Sequence, residues 1–234
     1  MILVIGEYKF EVVINDLEDG VMEIYIGSAS RPCVIFLVFN NETIILQDLM
    51  YHSKCSSGKP FVRRSGATQI MVKGALQWLC DMYPKVKAVD LTDKMKYEGV
   101  IVPERMFLTE GQTWYQKHFQ ALPETKTTAI LYFYKRVYEK HKQDLLELPL
   151  DAWKVKNIKD TLSQFPSLYM KQITGTGWYI PRNTIIAYDI PKYEIRMEGG
   201  SKKLGKIIQE WNRNWEFTPD IWRDGPGPNT YDKP

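Results

Sequence analysis

Four short apolar segments follow one another at the start of the chain, and they constrain the fold more than any other feature. Asp19-Gly20 joins the first two and Asn40-Asn41 joins the last two, and both pairs are typical of tight turns. The segments cover residues 9–14, 21–27, 32–39 and 43–49. Short apolar segments separated by turns predict an antiparallel meander of four strands.

A helix over residues 67–82 is predicted to follow the meander and to lead into a strand over residues 88–91. One face of this helix carries Met71, Ala75, Trp78, Leu79 and Met82. The order strand, loop, helix, strand is typical of a parallel crossover. A further helix is predicted over residues 109–119, with Thr109 as its N-cap and Gln112 completing a capping box.

The sequence therefore predicts an α/β fold with a mixed, mostly antiparallel sheet in residues 1–125. Residues 126–198 are predicted to form a helical extension, with helix over 126–165, a turn at 174–178 and a last strand over 184–188. Residues 199–234 are predicted to be an irregular, aromatic C-terminal arm. Its tryptophans lie outside the probable core, and five of its side chains are expected to dock on a partner: Leu204, Ile208, Trp211, Trp215 and Trp222.

The charge and the cysteines limit the classes of function. The net charge of +3 is small, although residues 126–175 carry nine basic and five acidic side chains. Nucleic acid is therefore not the expected partner, and a nucleic-acid-binding adaptor is only a further alternative. The three cysteines are too few and too scattered for a disulfide framework, and Cys33 and Cys80 are expected to be buried free thiols.

The sequence favours a location inside the cell or the virion rather than secretion. Free thiols suit a reducing compartment. The apolar start of the chain is interrupted by Glu7 and Lys9, unlike a signal peptide, and no apolar run approaches the ~20 residues that a membrane span needs. His52 and Cys55 lack a second pair of ligands, so we expect no metal site.

The start of the helix over residues 67–82 is a candidate phosphate site. It consists of Arg63, Arg64, Gly66, Ala67 and Thr68. Free backbone N–H groups at a helix start, together with two guanidinium groups, favour a diphosphate. In the alternative interpretation, the glycine only eases a turn and both arginines are solvated.

The run Arg63-x-x-Gly66-x-Thr68 resembles the acyl-CoA pyrophosphate loop of the GNAT family of N-acetyltransferases, which has Gly or Ala at the last position. The resemblance covers about residues 20–120 and implies acetyl-CoA as cofactor. It also implies that Tyr115 protonates the departing thiolate. Asp48 and His52 are the candidates for the general base that deprotonates the amine. The chain lacks the family's Gly before Phe119 and its two helices between the first strands.

The segment Leu91-Thr92-Asp93 and the run Gly111-Gln112-Thr113-Trp114-Tyr115-Gln116-Lys117-His118-Phe119 also resemble uncharacterised proteins of nucleocytoplasmic large DNA viruses. This resemblance covers about residues 30–122. It implies a viral protein, found in the virion or in the cytoplasm of the infected cell. The preferred hypothesis is a structural protein, a minor capsid-associated component without a cofactor, which docks on other virion proteins through residues 199–234. The alternative is a CoA-dependent N-acyltransferase.

Overall fold

The computed structural model describes residues 1–28, 31–51, 53–62, 65–168 and 170–197. The strands in these residues are β1 (Ile2–Ile5), β2 (Tyr8–Asp16), β3 (Val21–Ser28), β4 (Arg31–Phe39), β5 (Thr43–Leu49), β6 (Ala88–Asp93), β7 (Lys96–Tyr97), β8 (Val100–Ile101), β9 (Leu122–Pro123), β10 (Thr176–Pro181) and β11 (Tyr193–Arg196). The α-helices are α1 (Ala67–Met82), α2 (Val102–Glu110), α3 (Trp114–Phe119), α4 (Thr125–Glu147), α5 (Ile158–Ser163) and α6 (Arg182–Ile186).

Nine of these strands form one sheet in the order β11-β1-β2-β3-β4-β5-β6-β10-β9. All neighbours in the sheet are antiparallel except β5 and β6, which are parallel. The predicted meander is confirmed as β2 to β5, and so is the parallel crossover through α1. The protein is therefore an α/β protein with a mixed, mostly antiparallel sheet.

Helix α1 begins and ends where the apolar periodicity predicts. Met71, Ala75, Trp78 and Leu79 on its predicted inner face are all buried. Gly74 is buried as well, and a Cβ added there would lie 2.9 Å from Cγ1 of Ile5 and closer still to its Cδ1. The absence of a side chain at this position is what lets α1 approach β1.

The segment between β5 and α1 is held against the sheet. The backbone N–H groups of Ser57 and Lys59 donate to the carbonyls of Lys9 and Glu7, both at 2.9 Å. Phe61 is buried in the core beside other aromatic rings of the sheet. These contacts hold residues 57–61 against the sheet.

A disulfide joins Cys33 in β4 to Cys55 in the same segment. The expectation that Cys33 is a free thiol is therefore wrong, and the argument for a reducing compartment no longer has this support. The tertiary fold brings the two residues to a Cα separation of 5.9 Å, which their spacing of 22 positions does not reveal. Cys80 is free and buried, as expected.

The predicted helix over residues 109–119 is wrong, because the chain forms two helices in this region. Helix α2 ends at Gly111, which adopts the left-handed conformation at φ +78°. Helix α3 then starts from Thr113, whose side chain accepts a hydrogen bond from Gln116 N–H. The capping box therefore belongs to Thr113 and Gln116 rather than to Thr109 and Gln112.

The predicted helical extension is interrupted. Helix α4 is kinked at His141, where φ is −124° and ψ is 19°, and it ends before Pro149. A 3-10 turn, Leu150–Trp153, and helix α5 follow. Proline cannot continue a helix into its own position without losing a hydrogen bond, which accounts for this break.

Two further predictions in the extension are wrong. The predicted turn at residues 174–178 is correct only at its start, because Thr176 already belongs to β10, in which Trp178 and Ile180 are fully buried. The predicted last strand over residues 184–188 is mostly α6. The last strand of the described residues is β11, which pairs with β1. Pairing with β6 overrides the local turn propensity at residues 176–178.

The predicted docking residues of the arm lie outside the described residues: Leu204, Ile208, Trp211, Trp215 and Trp222. The arm therefore stays a prediction. In the part of the chain that the structure describes, no helix has the length and apolar character that crossing a membrane requires.

Candidate functional site

The parallel strands β5 and β6 pair over three residues and then separate. Their last pair is Leu46 with Leu91. Beyond it, β5 continues beside β4 as far as Leu49, whereas β6 continues beside β10 as far as Asp93. The carboxyl ends of the two strands therefore border an opening in the sheet, which we call the notch.

An extra residue in β5 explains why the strands part at this point. Leu46 lies opposite Phe36 of β4 and Asp48 lies opposite Ile35, so Gln47 has no opposite residue in β4. Such a bulge bends the strand and often ends its pairing on one side. Gln47 directly follows the last residue that pairs with β6, so the bulge directs the rest of β5 away from β6.

Tyr115 of α3 lies at the notch together with two carboxylates. Its side chain is buried, and burial is the main cause that raises the pKa of its hydroxyl. The negative charges of Asp93 and Asp48 raise this pKa further. The residues predicted as acid and base, Tyr115 and Asp48, are thus close enough for the charge of the second to act on the first. A hydroxyl with a raised pKa keeps its proton at neutral pH and is a weaker acid than an ordinary tyrosine.

The sequence prediction missed Asp93, which is fully buried at the end of β6. Its Oδ1 accepts a hydrogen bond from Met95 N–H at 3.2 Å, whereas its Oδ2 has no hydrogen-bond partner. Burial raises the pKa of Asp93 to about 7, and the nearby charge of Glu104 acts in the same direction. The alternation of Val89, Leu91 and Asp93 on one face of the strand is the signal that could have identified it.

Asp48 differs from Asp93 in its exposure. It is exposed to solvent, and its Oδ1 accepts a hydrogen bond from Leu49 N–H at 2.8 Å. The notch therefore holds one carboxylate in water at its rim and one in the protein interior. Burial disfavours the charged form of a carboxylate, and of these two side chains only Asp93 is buried.

The start of α1 lies at the same end of the sheet, because a crossover helix begins near the carboxyl ends of the strands that it connects. Gly66 adopts the left-handed conformation at φ +81°. The first helical hydrogen bond runs from Ile70 N–H to Gly66 O at 3.1 Å. The backbone N–H groups of Thr68 and Gln69 precede that bond, so they have no acceptor within the helix.

The predicted phosphate site is only partly described. Gly66, Ala67 and Thr68 lie at the start of α1, and the Ala67 N–H donates to Ser65 Oγ at 3.4 Å. Arg63 and Arg64 lie outside the described residues, as does His52, the second candidate base.

A side-chain contact links the start of α1 to α3. Gln69 Nε2 lies 3.2 Å from Nδ1 of His118. Burial, and then the charges of Lys117 and Lys73, lower the pKa of His118. A lowered pKa favours the neutral imidazole, which can accept the hydrogen bond from Gln69. The two helices that carry the phosphate-site glycine and Tyr115 are therefore held together at this point.

The arrangement combines backbone N–H donors, a protonated hydroxyl and a solvent-exposed carboxylate at one end of the sheet. These groups can hold an anion, donate a proton and accept a proton, respectively. No group of three or more histidine, cysteine, aspartate or glutamate side chains suited to a metal ion occurs among the described residues. No protein-family model, curated protein or solved structure matches this chain.

Proposed function

We propose that the notch is the active site of a CoA-dependent N-acyltransferase. The observation that carries this proposal is the position of Tyr115, which lies within the electrostatic influence of both Asp48 and Asp93 where β5 and β6 part. The helix start with Gly66 is at the same end of the sheet. This grouping also supports a GNAT-like core, although β7, β8 and α2 stand between β6 and the helix that bears Tyr115.

In the proposed reaction, the acceptor amine attacks the carbonyl carbon of the acyl thioester. The C–N bond forms and the C–S bond breaks. Asp48 takes the proton that the amine loses, and Tyr115 gives its own proton to the departing thiolate. Solvent then returns a proton to the tyrosine oxygen. The start of α1 holds the pyrophosphate of the cofactor, whose two negative charges are favoured near a helix amino terminus.

Asp93 acts on the proposed acid through its charge. A negative charge at Asp93 raises the pKa of Tyr115 and weakens it as an acid, so the protonated form of Asp93 is the one that favours proton donation to the thiolate. Its own pKa of about 7 makes that influence dependent on pH near neutrality.

Acetyl-CoA binding tests the proposal. Acetyl-CoA at 100 times its dissociation constant is expected to add ~2.7 kcal/mol to the free energy of unfolding, measured as a raised melting temperature. Gly66→Val is expected to abolish this increase, because a β-branched side chain at positive φ is strained and stands where the pyrophosphate approaches.

Gly99→Val is the matched control for that variant. Gly99 also has a positive φ, +79°, but it lies in the turn between β7 and β8, and a Cβ there meets open space. Both variants are expected to lower the melting temperature of the free protein, and only Gly66→Val is expected to lose the response to acetyl-CoA. A folded wild-type protein that shows no response to millimolar acetyl-CoA would exclude the acyltransferase.

The virion hypothesis rests on the resemblance to viral proteins and on the arm, which lies outside the described residues, so a capsid-associated role that needs no cofactor stays a separate proposal. Its test is incorporation of the full chain and of a chain lacking the arm into particles. The nucleic-acid-binding adaptor stays a weaker proposal on the charge of residues 126–175.

A further inference from the structure

A surface pocket of about 370 Å³ lies beside the kink of α4, away from the elements that form the notch. Phe133, Arg136, Lys140 and His141 of α4 line one side of it, and Phe165 lines the other. The volume lies near the lower end of the range of about 300–1,000 Å³ that is usual for small-molecule sites. The pocket is therefore large enough for a compact ligand.

Two cations that line this pocket, Arg136 and Lys140, have no acidic partner among the described residues. Arg136 and Lys140 are four positions apart, so their side chains lie on the same face of α4, and neither forms an ion pair with a described carboxylate. Like charges at this spacing repel each other. An anionic group between them would relieve that repulsion and receive charge-assisted hydrogen bonds.

Aromatic side chains form the apolar part of the pocket. The ring of His141 lies 5.3 Å from that of Phe165. Phe133 lies on the α4 side of the pocket, and the ammonium group of Lys171 is 4.4 Å from its ring centroid. Flat ligand rings stack on such side chains, and an adjacent cation adds attraction to the π-system.

Acidic side chains on the same helix limit the size of an anionic ligand. Glu139 lies 3.9 Å from Lys135, and Asp144 lies 3.4 Å from His141, and both carboxylates are more than half exposed. Glu139 stands between Arg136 and Lys140 in the sequence, and Asp144 follows Lys140 by four positions. An extended polyanion that follows α4 would meet both of these negative charges, which disfavours it relative to a ligand with a single phosphate.

We infer that this pocket binds a small phosphorylated aromatic ligand of the nucleoside monophosphate class. The phosphate lies between Arg136 and Lys140, and the base stacks against Phe133 or Phe165. The inference does not depend on the function proposed for the notch.

Titration calorimetry of the full chain tests this inference. The probes are the four ribonucleoside monophosphates, each measured separately and compared with its two halves, the matching nucleoside and inorganic phosphate. At least one monophosphate is expected to bind about tenfold more tightly than either half, a difference of ~1.4 kcal/mol. Arg136→Gln and Lys140→Gln are each expected to weaken the binding of that monophosphate at least tenfold, because each removes one positive charge beside the phosphate.

Lys135→Gln is the matched control, because Lys135 is the immediate neighbour of Arg136 but does not line the pocket. It is expected to leave binding unchanged, whereas an equal loss at Lys135 would show general charge attraction and overturn the inference. Phe133→Leu keeps an apolar side chain but removes the aromatic ring. It is expected to weaken the binding of the monophosphate and to leave the binding of inorganic phosphate unchanged. A single-stranded oligonucleotide that binds far more tightly than every monophosphate, with strong salt dependence, would also overturn it and indicate a nucleic-acid surface.

Discussion

Thr113 and Gln116 cap the start of α3 reciprocally. The hydroxyl oxygen of Thr113 accepts a hydrogen bond from Gln116 N–H at 3.4 Å, and Oε1 of Gln116 accepts one from Thr113 N–H at 3.0 Å. Thr113 is fully buried, and Tyr115 lies between the two capping residues. The cap therefore determines where α3 begins and, with it, where the tyrosine hydroxyl meets the notch.

Thr113→Ala is expected to lower the free energy of unfolding by ~0.5–2 kcal/mol, the usual loss for an N-cap. Thr109→Ala is the control. Its hydroxyl donates to Arg105 O at 2.7 Å within α2 and caps no helix start, so we expect a loss of less than about 0.5 kcal/mol. Urea unfolding of both variants measures the difference. A larger loss of unfolding free energy for Thr109→Ala than for Thr113→Ala would instead indicate a helix that starts at Thr109.

Gly74→Ala is expected to destabilise the protein, although alanine is the better helix former by about 1 kcal/mol. The new Cβ would clash with Ile5 of β1. Ile5→Val removes the Cδ1 atom responsible for the closest approach, so the two substitutions are expected to be less costly together than the sum of their separate effects. A double-mutant cycle by urea unfolding measures this coupling. A stabilising effect of Gly74→Ala alone would mean that α1 does not pack on β1 at this point.

The stability of the protein is expected to fall as pH rises from about 4 to about 8, in part because of Asp93. Its pKa is 3.8 in the unfolded chain and about 7 in the folded protein, so the folded state binds more protons between these values. The contribution of Asp93 to the free energy of unfolding is fully present below its unfolded pKa of 3.8, and it is lost as pH rises through its folded pKa of about 7. Asp93→Asn removes it and keeps an acceptor for Met95 N–H.

The free energy of unfolding of Asp93→Asn relative to the wild type is therefore expected to increase with pH, by an amount on the order of a few kcal/mol. Urea unfolding at about pH 5 and about pH 8 provides the comparison. Burial raises the pKa of Asp90 as well, but this residue is present in the two proteins and its effect cancels. The pKa of Glu104 is also raised, and its charge acts on Asp93, so the difference between the two proteins includes this coupling. A difference that does not change with pH would show that Asp93 is charged in the folded state.

Reduction of the disulfide between Cys33 and Cys55 is expected to lower the free energy of unfolding by ~2–4 kcal/mol, because the cross-link restricts the unfolded chain. Thiol titration in denaturant should detect one cysteine before reduction and three after it. Cys80→Ala serves as the control and should leave the effect of reduction on stability intact. Three reactive thiols in the unreduced protein would contradict the disulfide.

A chain that ends at residue 199 is expected to fold and to melt cooperatively, because Met1–Arg196 form one compact unit with the sheet and its core. If the virion hypothesis is correct, this shortened chain does not enter particles, whereas the full chain does. Calorimetric melting and particle incorporation measure the two properties separately. A strongly destabilised or aggregated shortened chain would argue against a docking arm.

The local sequence determined the elements whose stability comes from neighbouring residues. The apolar period of residues 67–82 predicted both ends of α1, and the turns at Asp19-Gly20 and Asn40-Asn41 predicted the meander. Both Asn40 and Asn41 adopt positive φ, which asparagine tolerates better than most residues. The order of β5, α1 and β6 also implied that these strands are parallel.

Only the structure decided which of two local caps is used, and how segments far apart in sequence meet. Two Thr-x-x-Gln runs occur within residues 109–116, and the left-handed turn at Gly111 selects the second as the cap. Strand β10 forms because it finds a partner in β6, and Cys33 meets Cys55 because the segment after β5 returns across the sheet. The notch also depends on contacts between distant segments, because it is formed by the bulge in β5, the buried Asp93 of β6 and the position of α3. Local propensities describe single segments, whereas a site made from several segments depends on the packing that brings them together.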